Sequence, residues 1–260
     1  MAAPVLRPLS VGEVLDVSFG LYRSLFVPLV IVATVCRAIP LLLNLFFRPP
    51  ESTDPMATFN WLGDHGVLFL AIIVLTLICT AFAVAATTSI VSGAYLGQTI
   101  APRDALARAG GVIGRLIGIT LVTGFVVFLG FLLLVVPGVI VMTGLILAST
   151  VVVLEPGLSA TTAMGRSWEL TRGFRGKVFI TVFVSYLILA VPAIAVALIV
   201  GIAGLVATVP TIASTVLSGV LEIFVLPLIY VVITVLYYDL RVRKEGLDLE
   251  LLASSVQPAG

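Results

Sequence analysis

Long apolar runs, separated by short polar stretches, make up most of the chain. A helix needs about 20 apolar residues to cross the hydrocarbon core of a bilayer. The pattern therefore predicts an all-α fold, a polytopic membrane bundle of about six transmembrane helices with amphipathic helices at its surface. The predicted spans lie near residues 25–47, 66–92, 115–136, 138–154, 177–204 and 213–238, which gives a single transmembrane domain over 1–238 and a tail over 239–260.

The fourth predicted span is the shortest, and the stretch VVPGV, which contains Pro137 and Gly138, separates it from the third. Proline removes a backbone donor and glycine tolerates positive φ, so this pair fits either a tight hairpin or a kink. A re-entrant pair of helices is the alternative to two full spans. If the two runs form a hairpin, the number of spans is even and both termini lie on the same side of the membrane.

Three short segments precede the first, third and fifth spans and align without gaps: VLDVSFGLYR at 14–23, ALARAGGVIG at 105–114 and AMGRSWELTR at 163–172. Arg108 then matches Arg166, and each segment places apolar residues at helical spacing opposite basic ones, as interfacial amphipathic helices do. The alignment predicts an internal repeat of three units, each a surface helix followed by two spans. Chance similarity in an apolar chain with basic loops is the alternative.

Local signals mark where the first surface helix begins and where the third meets the membrane surface. Ser10 and Glu13 have the spacing of a capping box, which predicts a helix start at that point. Trp168 and Arg172 combine aromatic and basic character, which is typical of residues at a membrane interface. We predict that both anchor the third segment there.

Composition places the chain outside the range of soluble domains. Hydrophobic residues make up 60% of it, charged residues 10%, and the mean hydropathy is +1.26, whereas soluble domains carry about 25% charged residues. A net charge of +1 gives no general attraction to nucleic acid.

Cys36 and Cys79 lie in apolar runs without CxxC spacing and are expected to be buried hydrophobes. The first 24 residues lack a signal-peptide pattern, so the first span is expected to act as an uncleaved anchor.

Basic residues concentrate on one side of the predicted topology. Twelve of them flank the spans on that side, against only Arg48 on the other, where acidic residues accompany it. Short loops that retain positive charge stay in the cytoplasm. The distribution predicts a multi-pass protein of the cell (inner) membrane with both termini and the tail in the cytoplasm. At the end of the sixth span we predict aromatic and basic interfacial anchors at Tyr237, Tyr238, Arg241, Arg243 and Lys244.

Several stretches carry a resemblance to a known family: LRPLSVGEVLDVSFGLYR near the start, VLEPG in the middle, AMGRSWELTRG before the fifth span and YYDLRVRKEGLDLELL near the end. They resemble the membrane-domain family of glycerophosphoryl diester phosphodiesterases, which are bacterial multi-pass proteins. The resemblance implies a fold and a location, because catalysis in that family belongs to a separate barrel. Such a barrel needs paired histidines and metal-binding carboxylates, and this chain has one histidine, His65.

Sequence motifs for catalysis or cofactor binding are absent. The chain has no GxxxxGK[ST], HExxH, GxSxG or CxxC pattern. We therefore expect no catalytic, metal or cofactor-binding residues, and no enzymatic activity.

Two charged residues stand inside predicted spans, Arg37 in the first and Glu222 in the sixth. A charge at the middle of a bilayer costs about 2.5–3.5 kcal/mol on insertion scales, so the two form a candidate intramembrane pair. One interpretation is a gating or substrate-facing pair. The other is a structural clamp, or an Arg37 that meets water or backbone carbonyls in a crevice of the bundle.

These observations favour an integral membrane protein without its own catalytic centre, acting as a scaffold, an assembly factor or a lipid-interacting module. A small transporter or a lipid-handling carrier is the alternative, and it requires a cavity near the midplane with convergent polar groups. An enzyme that acts on lipid is the third and least favoured interpretation, because the sequence offers no nucleophile paired with a base. Membrane lipids are the expected partners, together with another membrane protein or a second copy of the chain; nucleic acid is not expected.

Overall fold

The computed structural model describes residues 7–47, 54–206 and 211–247. Within these ranges the secondary structure is helical, and the helices build an all-α bundle as predicted. The helices in chain order are α1 (Val11–Ser24), α2 (Phe26–Phe46), α3 (Pro55–Tyr95), α4 (Pro102–Gly110), α5 (Ile113–Leu133), α6 (Val135–Leu145), α7 (Ala148–Leu154), α8 (Ala160–Thr171), α9 (Arg175–Val206) and α10 (Thr211–Glu245).

Six helical segments are long and apolar enough to cross a membrane, which confirms the prediction of a multi-pass membrane protein. They are Phe26–Phe46, Met56–Tyr95, Ile113–Leu133, Val135–Leu154, Arg175–Ile202 and Ile212–Glu245.

Two of these segments extend beyond the predicted spans. Helix α3 begins at Pro55 rather than near 66, because the Asp54 side chain accepts a hydrogen bond from the Met56 N–H and Pro55 occupies the first helical position. Helix α10 continues past 238 to Glu245, because Leu240 and Val242 pack into the core. The first part of the predicted tail is thus part of the bundle, and residues 248–260 lie outside the described residues.

Helices α5 and α6 form a tight antiparallel hairpin. The chain turns at Leu134, which is extended, and Pro137 lies in the first turn of α6, where a missing N–H breaks no helical bond. Two glycines allow the close contact: a Cβ on Gly130 would lie 3.1 Å from the Gly138 Cα, and one on Gly138 would lie 2.5 Å from the Phe131 ring. Together α6 and α7 are long enough for a full span, which favours two spans over a re-entrant pair.

The three predicted surface segments are the short helices α1, α4 and α8. Their N-cap residues are Ser10, Ala101 and Ser159, which have the same spacing as the ungapped alignment of the segments. The capping box predicted for Ser10 and Glu13 is present. Equivalent positions are buried in all three helices: Val14, Ala105 and Ala163 four residues after the cap, and Ser18, Ala109 and Ser167 eight residues after it.

The helices pack in a cyclic order. Helix α1 contacts α9 and α10, α4 contacts α2 and α3, and α8 contacts α5, α6 and α7. Each short helix thus packs against the two spans that precede it, and α1 completes the circle against the last two. Near the centre α3, α7 and α10 contact one another.

The two ends of the bundle differ in packing. We call the end that carries α1, α4, α8 and the C-terminal part of α10 the basic end, and the other the opposite end. Most of the buried core lies toward the basic end, in residues such as Leu29, Ile90, Leu147 and Leu236. Toward the opposite end large apolar side chains are exposed, as expected for helices that face lipid.

Candidate functional site

A polar crevice opens between α2, α3 and α10 in the half of the bundle nearer the opposite end. Its volume is about 400 Å³, within the range of small-molecule sites. The lining residues are Arg37, Pro40, Leu41, Asn44, Thr76, Ser214, Thr215, Ser218, Gly219 and Glu222.

Arg37 and Glu222 form an ion pair that lines this crevice. Arg37 lies eleven residues after Phe26 in α2, and Glu222 lies eleven residues after Thr211 in α10. At 1.5 Å per residue each charge is about 16 Å from a helix end, close to the middle of a span. Their side chains are 21% and 46% exposed, so the pair is accessible from the crevice.

The close approach of α2 and α10 brings the two charges together. A Cβ on Gly219 would lie 2.5 Å from the Leu41 Cδ1, so only glycine permits this contact without a shift. Gly219 is three residues before Glu222, and Leu41 is four after Arg37, which places each with its charged residue on one helix face. Packing at Gly219 therefore positions the pair.

A proline lies inside each of the two helices that carry the pair. Pro40 in α2 and Pro227 in α10 each lack the N–H that would bond one turn back. The Asn44 side chain donates a hydrogen bond to the Pro40 carbonyl over 2.8 Å, and the Tyr22 hydroxyl donates to the Phe224 carbonyl over 2.7 Å. The charges thus lie beside weakened helix segments.

Arg37 and Glu222 also line a second void that is reached past the pair toward the basic end. Its volume of about 10 Å³ leaves room for roughly one water molecule. Pro227 and Tyr230 close this void on the α10 side. The ion pair therefore separates the open crevice from the packed part of the bundle.

Hydroxyl groups on the crevice wall already donate to their own helices. Thr76 donates to the Ile72 carbonyl and Ser218 donates to the Ser214 carbonyl. Their oxygens keep acceptor capacity. The crevice thus combines a cation, an anion and neutral acceptors.

A second group of charges lies at the basic end around Asp239 of α10, whose side chain is fully buried. Asp239 accepts a hydrogen bond from the Leu9 N–H over 2.7 Å and forms ion pairs with Lys177 and Arg243. The Leu9 carbonyl accepts from Lys177 over 2.6 Å and from Arg243 over 2.5 Å. These contacts attach the chain before α1 to α9 and α10.

Two further carboxylates, Glu155 and Glu245, join α7, α8 and α10. Arg166 forms ion pairs with both, and Arg241 pairs with Glu245 over 2.8 Å. The Tyr237 hydroxyl donates to Glu155 over 2.9 Å. The hydrogen bond that Arg166 donates to Glu245, aided by the nearby Glu155 charge, raises the pKa of Arg166. The charged groups of this network thus pair with one another within the protein.

The predicted anchors on α10 make contacts with other helices of the protein. Tyr237 and Tyr238 are 1% and 5% exposed, and Tyr238 stacks on Tyr95 at 4.8 Å between ring centroids. An aromatic belt position would leave the rings at the lipid head groups, whereas here they fill the space between central helices. Arg241 and Arg243 are in the networks above, and Lys244 donates to the Glu169 carbonyl. Lipid anchoring by these residues stays a prediction.

The anchors on the third segment lie nearer the surface. The Trp168 ring packs against Gly144, where a Cβ would lie 2.3 Å from a ring carbon, and Arg175 lies over the ring at 3.8 Å. Trp168 is 36% exposed, and Arg172 is exposed at the C-terminal end of α8. Asp239, Glu155 and Lys177 were not singled out from the sequence; an acidic residue directly after two tyrosines at the end of an apolar run was the available signal for Asp239.

No protein-family model, curated protein or solved structure matches the chain. The resemblance to the membrane-domain family of glycerophosphoryl diester phosphodiesterases therefore stays an expectation. Among the side chains that the structure describes, no group of three or more His, Cys, Asp or Glu residues is placed to hold a metal ion.

Proposed function

We propose that the chain is a membrane carrier whose ligand binds in the crevice between α2, α3 and α10. The observation that carries the proposal is the Arg37–Glu222 pair at mid-span on the wall of an open polar cavity. Charges at this depth are costly, and in membrane proteins they mark ligand and ion pathways. The cavity supplies the convergent polar groups that distinguish a carrier from a scaffold.

The chemistry of the pair favours a zwitterionic ligand. A ligand with adjacent positive and negative groups can replace each partner of the pair, so no charge is left alone in a medium of low dielectric constant. A simple anion would leave Glu222 without its partner, and a simple cation would leave Arg37 without one. The ligand class is therefore an ammonium group close to a carboxylate or phosphate, carried by a free solute or by a lipid head group.

The position of the pair supports a simple gating step. While Arg37 and Glu222 are joined they separate the crevice from the void beyond. A zwitterion that divides the pair removes this barrier. Pro40 and Pro227 lie beside the two charges and allow α2 and α10 to bend there.

We also propose that the protein lies in the cell (inner) membrane with its basic end toward the cytoplasm, so that the crevice opens to the outside. The concentration of basic residues at one side supports this orientation. Single cysteines at Thr58 and Ser254, in a chain without Cys36 and Cys79, should react with a membrane-impermeant reagent from opposite sides. Labelling of both from outside intact cells would exclude it.

The internal repeat is part of the same proposal. Equal spacing of the three N-caps, equivalent buried positions and the cyclic packing all support three units of one surface helix and two spans. The family resemblance fits such a membrane module without a catalytic barrel.

A scaffold or lipid-interacting module without a catalytic centre is the second candidate. The contact between Leu9 and Asp239, 230 residues apart, favours it, because it joins the first and last helices into a firm surface at the basic end. Membrane lipids are then the main partners, and another membrane protein or a second copy of the chain could dock there.

Equilibrium dialysis of the purified protein with radiolabelled glycine, acetate or methylamine tests the carrier proposal. Glycine carries both charges and each of the others carries one, so only glycine should be retained. Incorporation into vesicles with and without phosphatidylethanolamine tests the lipid source, since that head group should compete with glycine.

The matched variants separate binding from folding. The double variant Arg37→Leu/Glu222→Leu leaves no unpaired charge and should fold but lose glycine binding. Ser185→Ala alters a buried hydroxyl on α9, away from the crevice, and should bind normally. Equal retention of all three probes, or normal binding by the folded double variant, would overturn the proposal.

A further inference from the structure

A second polar cavity lies at the basic end between α3, α4 and α7, and it has a volume of about 310 Å³. Ser89 on its wall is six residues before Tyr95, the last residue of α3, a distance of about 9 Å along the helix. The cavity therefore lies at the level where a span meets the membrane surface. Its polar lining side chains are Ser89, Ser92, Gln98 and Arg108.

Arg108 occupies the same register position as Arg166. Each is seven residues after its N-cap, Ala101 in α4 and Ser159 in α8. Arg166 is neutralised by Glu155 and Glu245. Arg108, by contrast, forms no ion pair with any carboxylate in the ranges 7–47, 54–206 and 211–247. The equivalent cation thus remains available at the cavity.

The other polar groups of this cavity are neutral. The Ser92 hydroxyl shares a hydrogen bond of 2.6 Å with the Tyr238 hydroxyl, and the Ser89 hydroxyl donates to the Ala85 carbonyl. The Gln98 amide, which has N–H donors, also lines the cavity. A guanidinium with amide donors and no lining carboxylate suits an anion with several oxygens.

We propose that this cavity is a phosphate-binding site in which Arg108 pairs with the phosphate of an anionic lipid or with free phosphate. The guanidinium presents a planar fork of donors that matches phosphate oxygens. Basic pockets between spans at the cytoplasmic side are a known mode of lipid head-group binding. The site is independent of the Arg37–Glu222 crevice, because it lies at the other end of α3 and shares no lining residue with that crevice.

Native mass spectrometry of the intact protein, titrated with phosphatidylglycerol in a detergent that carries no charge, measures the affinity. One charge near an anionic head group is worth about 1 kcal/mol, so Arg108→Gln should weaken binding about five-fold. Arg103→Gln is the matched control, because Arg103 is, like Arg108, an exposed arginine of α4 but does not line the cavity. It should bind with wild-type affinity. Arg108→Lys should retain most of the affinity and keeps the test valid if the glutamine variant does not fold.

Inorganic phosphate distinguishes the two sources. Competition between phosphate and phosphatidylglycerol supports a site that recognises phosphate itself, whereas binding of the lipid without such competition supports a lipid head-group site. Equal weakening in Arg103→Gln and Arg108→Gln would show a diffuse surface charge effect, and wild-type affinity in folded Arg108→Gln would exclude the arginine. Either result overturns the proposal.

Discussion

Glu222 and Asp239 lie on the same helix, seventeen residues apart, and have opposite surroundings. Glu222 is 46% exposed in a crevice and pairs with Arg37. The Asp239 side chain is fully buried and accepts from the Leu9 N–H, Lys177 and Arg243. A carboxylate with several fixed donors is held in one place, whereas one with a single partner and an open side can exchange that partner. The comparison therefore distinguishes Asp239, whose charge holds helices together, from Glu222, whose charge is placed to bind a ligand.

Removal of the Asp239 charge should have the largest effect. Asp239→Leu leaves Lys177 and Arg243 partly buried without their carboxylate, and breaking a buried pair costs about 3–5 kcal/mol. We expect little folded protein, measured as the monodisperse fraction in fluorescence-detected size-exclusion chromatography. Glu222→Leu is the matched change on the same helix and should leave more folded protein. An equal loss of folded protein in the two variants would show that Asp239 and Glu222 do not differ in their contribution to folding.

The Arg37–Glu222 pair should show energetic coupling. Arg37→Leu and Glu222→Leu each leave one charge at mid-span, so each should lower the amount of folded protein more than the double change does. The measurement is a double-mutant cycle on thermal stability in detergent. Additive losses would show that the two charges do not support each other.

A substitution at Gly219 tests whether the close contact between α2 and α10 supports ligand binding in the crevice. Gly219→Ala forces the Leu41 side chain to shift into the crevice, and the cost in stability should be small because the contact is with the flexible end of that side chain. It should also separate α2 from α10 and weaken glycine binding. Gly118→Ala in α5 is the control, because a Cβ there meets nothing within 4 Å. Similar glycine binding by the two variants would contradict the proposed positioning role.

The basic residues at the end of α10 should contribute unequally to the stability of the protein. Changing Arg241, Arg243 and Lys244 together to glutamine should lower stability or insertion, whereas amides at Asp248 and Glu250, which lie outside the described residues, should do little. Among the single changes, Arg243→Gln should cost more than Lys244→Gln, because Arg243 contacts both Asp239 and the Leu9 carbonyl. Membrane-fraction yield and melting temperature check this order. Equal effects would favour lipid anchoring over internal contacts.

The smallest effect concerns the start of α1. The Ser10 N–H and Arg7 lower the pKa of Glu13 from 4.5 to about 2. A carboxylate with a depressed pKa contributes stability above its unfolded pKa and loses it as the pH falls through the folded value. The difference in melting temperature between wild type and Glu13→Gln should therefore be constant above about pH 5, shrink as the pH falls, and disappear below about pH 2. A difference that does not change with pH would show that the Glu13 charge contributes nothing.

Much of the fold could be predicted because its signals are local. Apolar run length located the six spans, and the spacing of Ser10 and Glu13 located the start of α1. The polar contacts of the basic end are not local: Leu9 meets Asp239 across 230 residues and Tyr237 meets Glu155 across 82. For this reason a tyrosine at a span end looked like an interface residue, although partners from other helices bury it.

Arg37 and Glu222 were identifiable because charges inside apolar runs are conspicuous. From the predicted span bounds, Arg37 lies about 18 Å and Glu222 about 24 Å from the inner end at 1.5 Å per residue, a difference that an arginine side chain can bridge. The crevice beside them could not be foreseen, since it depends on the packing of Gly219 against Leu41 and on the position of Thr76 on a third helix.

The cyclic packing has a consequence for biosynthesis. A ribosome makes α1 first, but the surface on which α1 packs belongs to α9 and α10, which are made last. The ring therefore stays open until the final span is inserted, and Leu9 can bind Asp239 only then. Attachment of the N-terminal helix is thus the closing event of assembly, and a chain that stops before α10 leaves that helix without its binding surface.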